Sequence, residues 1–256
     1  MKITPISLIT MENTKYMNIK DKLTIVIPCK NEEKYIGRTI LSIVEQYAIK
    51  GTNVIIADAN STDNTRNILE HLKYIYKDII NINIINGGKV AYGRNKGSDI
   101  VTTKYTLFLD ADVVLLNKNI INNSIYRMQH EHLHLLTCKI KSIGKDIRTS
   151  LVFHIFNPLN KIISTKTPFA IGTFFLTRTD EFRKRNGFDE TLQHSEDYAL
   201  SRTYNPSNFR ISKYYVGQDD RRFKKMGYIG MLKLVILNYI HRDNPDHYKK
   251  DVNYWD

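Results

Sequence analysis

Residues 104–114 read KYTLFLDADVV, and this stretch decides the fold. Leu107, Phe108 and Leu109 form a short continuous apolar run, the pattern of a strand buried on both faces, as in a parallel sheet covered by helices. Two carboxylates, Asp110 and Asp112, follow at once. An unpaired carboxylate at the end of a buried strand is costly, so two of them call for a cation or for hydrogen-bond donors. Asp-x-Asp suits a hard divalent ion that bridges to phosphate oxygens. In an extended chain the two side chains share a face, with Cα atoms about 6 to 7 Å apart. One can then bind a metal directly while the other reaches it through water or holds a sugar hydroxyl. The same tripeptide also opens solvated loops and caps helices, so its surroundings decide its meaning.

Upstream, residues 23–28 (LTIVIP) read as a strand that runs through Cys29-Lys30-Asn31-Glu32-Glu33 into a helix, with Asn31 as N-cap and Ile36, Ile40, Ile43, Val44 and Tyr47 as its buried stripe. Residues 53–57 form a second strand ending at Asp58, and Ser61 or Thr62 caps a helix with Ile68, Leu69, Leu72 and Ile75 inward. A third strand over 82–85 leads through Gly87-Gly88-Lys89 to a helix containing Arg94 and Asn95. Strands alternating with helices argue for a mostly parallel, Rossmann-like α/β sheet flanked by helices. Such sheets bind ligands at the carboxyl ends of their strands, which here carry Asn31-Glu32, Asp58 and Asp110-x-Asp112.

The second half changes character. Asn117 is read as the cap of a helix with Ile120, Ile121, Ile125 and Met128, and residues 133–140 as a strand. From Lys139 to Arg185 there are ten Lys or Arg against three Asp or Glu, either a solvated face or a surface that steers an anion. Residues 169–177 (FAIGTFFLT) read as a strand whose Gly172 suggests close approach of a ligand or another backbone. Thr179 caps a short helix stopped by Asn186-Gly187, and His194-Ser195-Glu196-Asp197 opens another with Leu200 and Arg202. His130, His132 and His134 would share one strand face, read as solvated or core histidines in preference to a zinc site.

At 256 residues and 42% hydrophobic content, one domain accounts for the chain. We divide it into an N-terminal tail (1–21), a catalytic domain (22–227) and a C-terminal apolar helix and tail (228–256). The net charge of +12 favours anionic partners: nucleotides, phosphorylated acceptors, acidic membrane surfaces or nucleic acid. Nucleic acid is disfavoured because the basic residues are scattered and no RNA-binding or helix-turn-helix pattern occurs. Cys29 and Cys138 make no disulfide framework, so a reducing, cytoplasmic setting is expected. The N-terminus lacks the apolar length of a signal peptide, and no segment reaches the roughly 18 apolar residues of a membrane span. The nearest, 228–240 (YIGMLKLVILNYI), is about 20 Å long as a helix. Packing on the domain or a second subunit is favoured for it over a membrane interface beside Arg221, Arg222, Lys224 and Lys225.

The series TIVIPCKNEEKYIGRTILSI, VIIADANSTDNT, GRNKGS, YTLFLDADV, GTFFLTRTDEFRKRNGFDE and SEDYALSR resembles the family 2 glycosyltransferases in order and spacing, from residue 23 to about 202. The resemblance implies a glycosyltransferase A fold, a nucleotide-diphosphate sugar donor, a divalent metal (Mn2+ or Mg2+) and inversion at the anomeric carbon. By position, Pro28, Asn31 and Glu32 would line the nucleoside pocket, and Asp58 would hydrogen-bond uracil. Lys89 and Arg94 would face the base or diphosphate, Asp110 the ribose or a metal-bound water, and Asp112 the metal. Asp197 would be the general base with Glu196 beside it, and Gly172 and Thr173 would shape the sugar or acceptor pocket.

This chain departs from the family in three places. Ala59 and Asn60 stand where relatives often have Asp and Gly. The Gln-x-x-Arg-Trp motif of processive synthases is absent after Asp197, where Ser201-Arg202-Thr203-Tyr204 is read, favouring transfer of a single sugar. No histidine occurs in 215–223, where many relatives supply a metal ligand, leaving Gln218, Asp219 or His241 as substitutes. The acceptor is a glycan, lipid or protein, with peripheral contact to an anionic membrane and self-association as further expectations. Two other readings compete: a sugar nucleotidyltransferase, disfavoured because residues 28–32 are no Gly-rich loop, and a nucleotide-sugar-binding or nucleic-acid-binding module without catalysis.

Overall fold

The computed structural model describes residues 16–241 and 244–249. The N-terminal half consists of βα units: β1 (Leu23–Cys29), α1 (Ile36–Val44), β2 (Thr52–Asp58), α2 (Thr65–Ile75), β3 (Ile80–Asn86), α3 (Val90–Asp99) and β4 (Tyr105–Phe108). There follow β5 (Val114–Leu115), α4 (Ile120–His130), β6 (Leu135–Ser142), α5 (Ile147–Ile163), β7 (Phe175–Arg178), α6 (Thr179–Lys184), α7 (Glu196–Ser201), β8 (Phe209–Gln218), α8 (Arg221–Ile240) and α9 (Pro245–Tyr248). The strands form one sheet in the order β3-β2-β1-β4-β7-β6-β8-β5. β3, β2, β1 and β4 run parallel, β7 is antiparallel to both β4 and β6, β8 is parallel to β6, and β5 is antiparallel to β8. The expected mixed, mostly parallel sheet is present.

Alternation along β1 and β4 explains their continuous apolar runs. Ile25, Ile27, Leu107 and Leu109 pack on one face with Ile36, Ile40 and Ile43 of α1. Val26 and Phe108 pack on the other with Phe175, Phe182 and Phe188. Each such side chain contributes roughly 1.5–3 kcal/mol by leaving water. Phe108 meets Phe182 and Phe188 at centroid distances of 4.9 and 5.0 Å, a compact ring cluster under the strand that carries the Asp pair.

The structure corrects several local expectations. Asn31 does not cap α1, which begins at Ile36 without a side-chain cap; Asn31 is left-handed (φ 53°) and its Oδ1 accepts from the Thr62 amide at 2.8 Å. α2 follows Asn64 and α4 follows Asn119, not Ser61, Thr62 or Asn117. The strand over 169–177 shrinks to Phe175–Arg178, because Gly172 gives its N–H to Asp197 instead of to a ladder. The three histidines do not share a strand face: His130 ends α4, His132 is left-handed (φ 51°) and His134 precedes β6. α5, β5 and β8 were not anticipated. The first 15 residues of the expected tail lie outside the described residues, as do many side chains of 228–256.

Candidate active site

The ends of β1, β2 and β4 bring the expected polar groups to one edge. The loops after β1 and β2 are tied together: the Asn31 amide donates to Ser61 Oγ (2.9 Å) and the Glu32 amide to Thr65 Oγ1 (2.7 Å). Asp58, the last residue of β2, accepts from the Ser61 hydroxyl (2.6 Å) and lies 3.5 Å from Arg66. Asn60 takes φ 55°, a left-handed conformation that asparagine tolerates, so it stands without difficulty where glycine is common. Pro28 is buried within β1, directly before this loop.

Two cationic side chains organise the carboxylates. Arg94 of α3 is 1% exposed and joins Asp110 (2.7 Å) to Glu196 (2.5 Å), with its guanidinium over the Phe188 ring at 5.1 Å. Desolvation of this cation is offset by the two carboxylates, the condition under which a buried charge persists. Arg221, the first residue of α8, binds Glu32 through two hydrogen bonds (2.8 and 2.6 Å) and pairs with Asp112 at 3.0 Å. Its guanidinium, like that of Arg38, lies over the Tyr35 ring. Arg38 in turn pairs with Asp219 at 3.1 Å. Burial raises the Glu32 pKa, and the Arg221 bonds oppose that rise.

Asp197 occupies the first turn of α7, immediately after left-handed Ser195 (φ 60°). Its Oδ2 accepts from the Gly172 amide at 2.6 Å and its Oδ1 from the Tyr198 amide at 2.7 Å. Part of the residue stays open to solvent. Burial of the carboxyl, then the charge of Glu196, push its pKa up to about 6, against the pull of Arg94. Gly172 is required here: a Cβ would stand 2.2 Å from Arg94 Nη2. Thr173 is buried with an unpartnered hydroxyl, and Lys89 reaches Gln193 at 3.0 Å.

Glu32, Arg94, Asp110, Asp112, Gly172, Glu196 and Asp197 thus converge, through the two arginines. Asp58 and Asn31 are held within the neighbouring loop pair, and Lys89 stands at the rim. Among the described residues no group of three or more His, Cys, Asp or Glu is arranged to hold a metal. Asp112 nevertheless fits one: it is 1% exposed, and neither of its carboxylate oxygens takes a hydrogen bond, its charge being met by the Arg221 ion pair at 3.0 Å. A single carboxylate completed by substrate phosphates and water is an ordinary way to hold Mg2+. The reading of the sequence missed Arg221 and Arg38. Arg221 was visible only as part of a basic run beside the apolar segment, and Arg38 carried no signal.

Known proteins share this architecture. Residues 1–349 of TarS from Staphylococcus aureus, solved in complex with UDP-GlcNAc, superpose with a TM-score of 0.60 at 21% identity, covering 77% of this chain and 58% of that one. The mannosyltransferase PcManGT from Pyrobaculum calidifontis, in complex with GDP-Man and Mn2+, gives 0.65 at 16% identity, over 84% of this chain and 64% of that one. These likenesses identify the glycosyltransferase A fold. In sequence, the 4,4'-diaponeurosporenoate glycosyltransferase of Staphylococcus aureus strain N315 is 27% identical over 219 residues, 78% of this chain and 56% of that protein. The chain therefore spans a little over half the length of the curated relatives it matches. The family model for glycosyl transferase family 2 matches residues 24–185, across β1 to α6 and both members of the Asp pair, and the chain belongs to that family.

Proposed function

We propose that residues 22–227 form an inverting glycosyltransferase domain that moves one sugar from a nucleotide-diphosphate donor, a uridine diphosphate sugar, to an acceptor hydroxyl. The observation that carries this reading is Asp197: a carboxyl held by two backbone amides, with its pKa pushed up to about 6, next to Glu196, whose ion pair with Arg94 leads to Asp110 of the Asp pair. A base must keep enough affinity for a proton to take it from a hydroxyl, and an aspartate near 6 does so better than one near its reference value of about 3.9. In the step, the acceptor O–H gives its proton to Asp197 and its oxygen bonds to C1. The bond from C1 to the diphosphate oxygen breaks on the opposite face, and its electron pair leaves with the nucleotide diphosphate.

The other residues hold the two partners in line. Glu196 and Asp110 fix Arg94, and Glu196 keeps the Asp197 pKa raised. Pro28, Asn31, Glu32 and Asp58 receive the nucleoside, with Lys89 at its edge. Asp112 would hold Mn2+ or Mg2+, which would supply positive charge for a departing diphosphate. Arg221 pairs with Asp112 and sets a cation beside the place where the diphosphate would lie. Gly172 and Thr173 form the sugar and acceptor wall. The nucleotide-sugar complexes of TarS and PcManGT, the latter with Mn2+, support this assignment of donor class. The acceptor is a glycan, lipid or protein hydroxyl.

Calorimetric titration of a panel of nucleotide-diphosphate sugars, with and without Mn2+ or Mg2+, tests the reading. One donor should bind in a metal-dependent way. Asp112→Asn should remove the metal dependence of binding, and Asp197→Asn should retain donor binding and lose transfer. Full turnover by both variants would refute the assignment, and so would failure of the folded protein to bind any donor.

A further inference from the structure

α5 carries two apolar faces. The inner one is anchored: Thr149, Phe153 and Asn160 are buried, Phe153 packs on Phe223 at 5.6 Å, and the Asn157 side chain bonds both the amide and the carbonyl of Ile140 in β6 (2.9 and 2.8 Å). This clamp fixes which face points outward. Outward stand Ile147 (81% exposed), Leu151 (60%), Val152 (37%), Ile155 (52%), Leu159 (51%) and Ile162 (66%). At 100° per residue they lie in one arc of about 140° along a helix of about 25 Å, an arc that Pro158 and, at its N-terminal end, Arg148 share. Soluble surfaces scatter such residues singly, and a contiguous stripe of this size marks an interaction face. α8 extends it: the Tyr228 hydroxyl bonds Thr149 at 2.8 Å, and the next residue, Ile229, is 84% exposed.

The charge around the stripe selects the occupant. No Asp or Glu occurs from Ile147 through Thr179, while Lys161 and Lys166 are exposed there; Arg148 is exposed too, but paired with Asp146 at 2.8 Å. Lys161 also lines a cavity of about 520 Å³ with Lys139 and Lys213, and with Arg127 and Arg210, which share Glu131 as their carboxylate partner. A second copy of this chain, also at +12, would set this basic rim against its own like, which is repulsive. A bilayer with anionic headgroups offers both complements at once: acyl chains for the stripe and negative charge for the rim. No helix among the described residues is long and apolar enough to cross a membrane, so α5 would lie in the interface plane.

We infer that the outer face of α5, extended by Ile229, docks on the surface of an anionic lipid bilayer. α5 also stands beside the candidate base: Phe156 packs on Phe169 (5.9 Å) and Phe169 on Tyr198 (4.7 Å), the residue after Asp197. Docking through α5 brings this side of the site to the membrane, so its acceptors are membrane-anchored; that last clause alone rests on the transferase reading.

The test is sedimentation of the full chain with vesicles of equimolar phosphatidylcholine and phosphatidylglycerol, against vesicles of phosphatidylcholine alone. The wild type should partition onto the anionic vesicles, and the triple variant Leu151→Ser, Ile155→Ser, Leu159→Ser should lose at least about tenfold in partition, since three large apolar side chains no longer enter the interface. These positions are exposed, so folding and nucleotide binding should be unchanged, and donor calorimetry on the same preparation keeps a failed site separate from a failed surface. A second probe is Leu151→Trp, made with the single native tryptophan Trp255→Phe, whose emission should shift to the blue on the anionic vesicles. Absence of wild-type binding to anionic vesicles overturns the proposal. Equal partition of wild type and triple variant overturns it too, because charge alone would then hold the protein. So does a dimer in light scattering that the triple variant abolishes without any vesicle binding, which would assign the face to a second copy.

Discussion

Gly172 shows how little room the candidate site leaves. Arg94 is held on two sides by Asp110 and Glu196, so it cannot yield to a Cβ placed 2.2 Å from its Nη2. Gly172→Ala should therefore displace the guanidinium and the Asp197 carboxylate together, lowering kcat on the order of 100-fold with the fold intact by circular dichroism. The pH profile follows from Asp197. It acts as base only when ionised, so kcat/KM should fall as pH drops through about 6. Burial and then Glu196 raise that pKa, so Glu196→Gln should move the inflection to lower pH. Arg221 gives a third prediction. It pairs with Asp112 where a divalent ion would bind, so Arg221→Ala should raise Mn2+ affinity measured without nucleotide. At this scale the sequence disclosed which residues carry charge at the strand ends and that Gly172 sits at a close approach, but what approaches it is the Arg94 side chain and not a ligand or another backbone. It could not disclose that Asp110 answers to Arg94 and Asp112 to Arg221.

Elements were legible where burial leaves a mark on neighbouring positions. α1 shows a stripe at the 3.6-residue period, and β1, β2 and β4, buried on both faces, show short continuous apolar runs. α5 was missed because its outward stripe fills in the polar half of that pattern, leaving a run with no clear period. Asn117 and Asn31 looked like caps from composition, but the loops around them spend their side chains on other backbone amides. The packing of α3 on β1 rests on a small residue: a Cβ at Gly97 would lie 2.4 Å from Val26 Cγ1. Gly97→Ala should cost about 1–3 kcal/mol by overpacking, measured as a lowered denaturation midpoint.

Over the whole molecule, donor binding should show as stability. A ligand that binds only the folded state at about 100 times its dissociation constant adds about 2.7 kcal/mol, so Tm should rise with the correct nucleotide sugar and metal, and less in Asp112→Asn. The sequence by itself determined the βα order, the mostly parallel sheet, and the carboxylates at the strand ends, because apolar periodicity and chain order are local properties. Tertiary structure alone decided the pairing of those carboxylates. Arg94 meets Glu196 across 102 residues and Arg221 meets Glu32 across 189, and nothing local in the chain records such a distance. It also decided that the stripe of α5 faces outward, since only the clamp of Asn157 on β6 says which of two apolar faces the core takes.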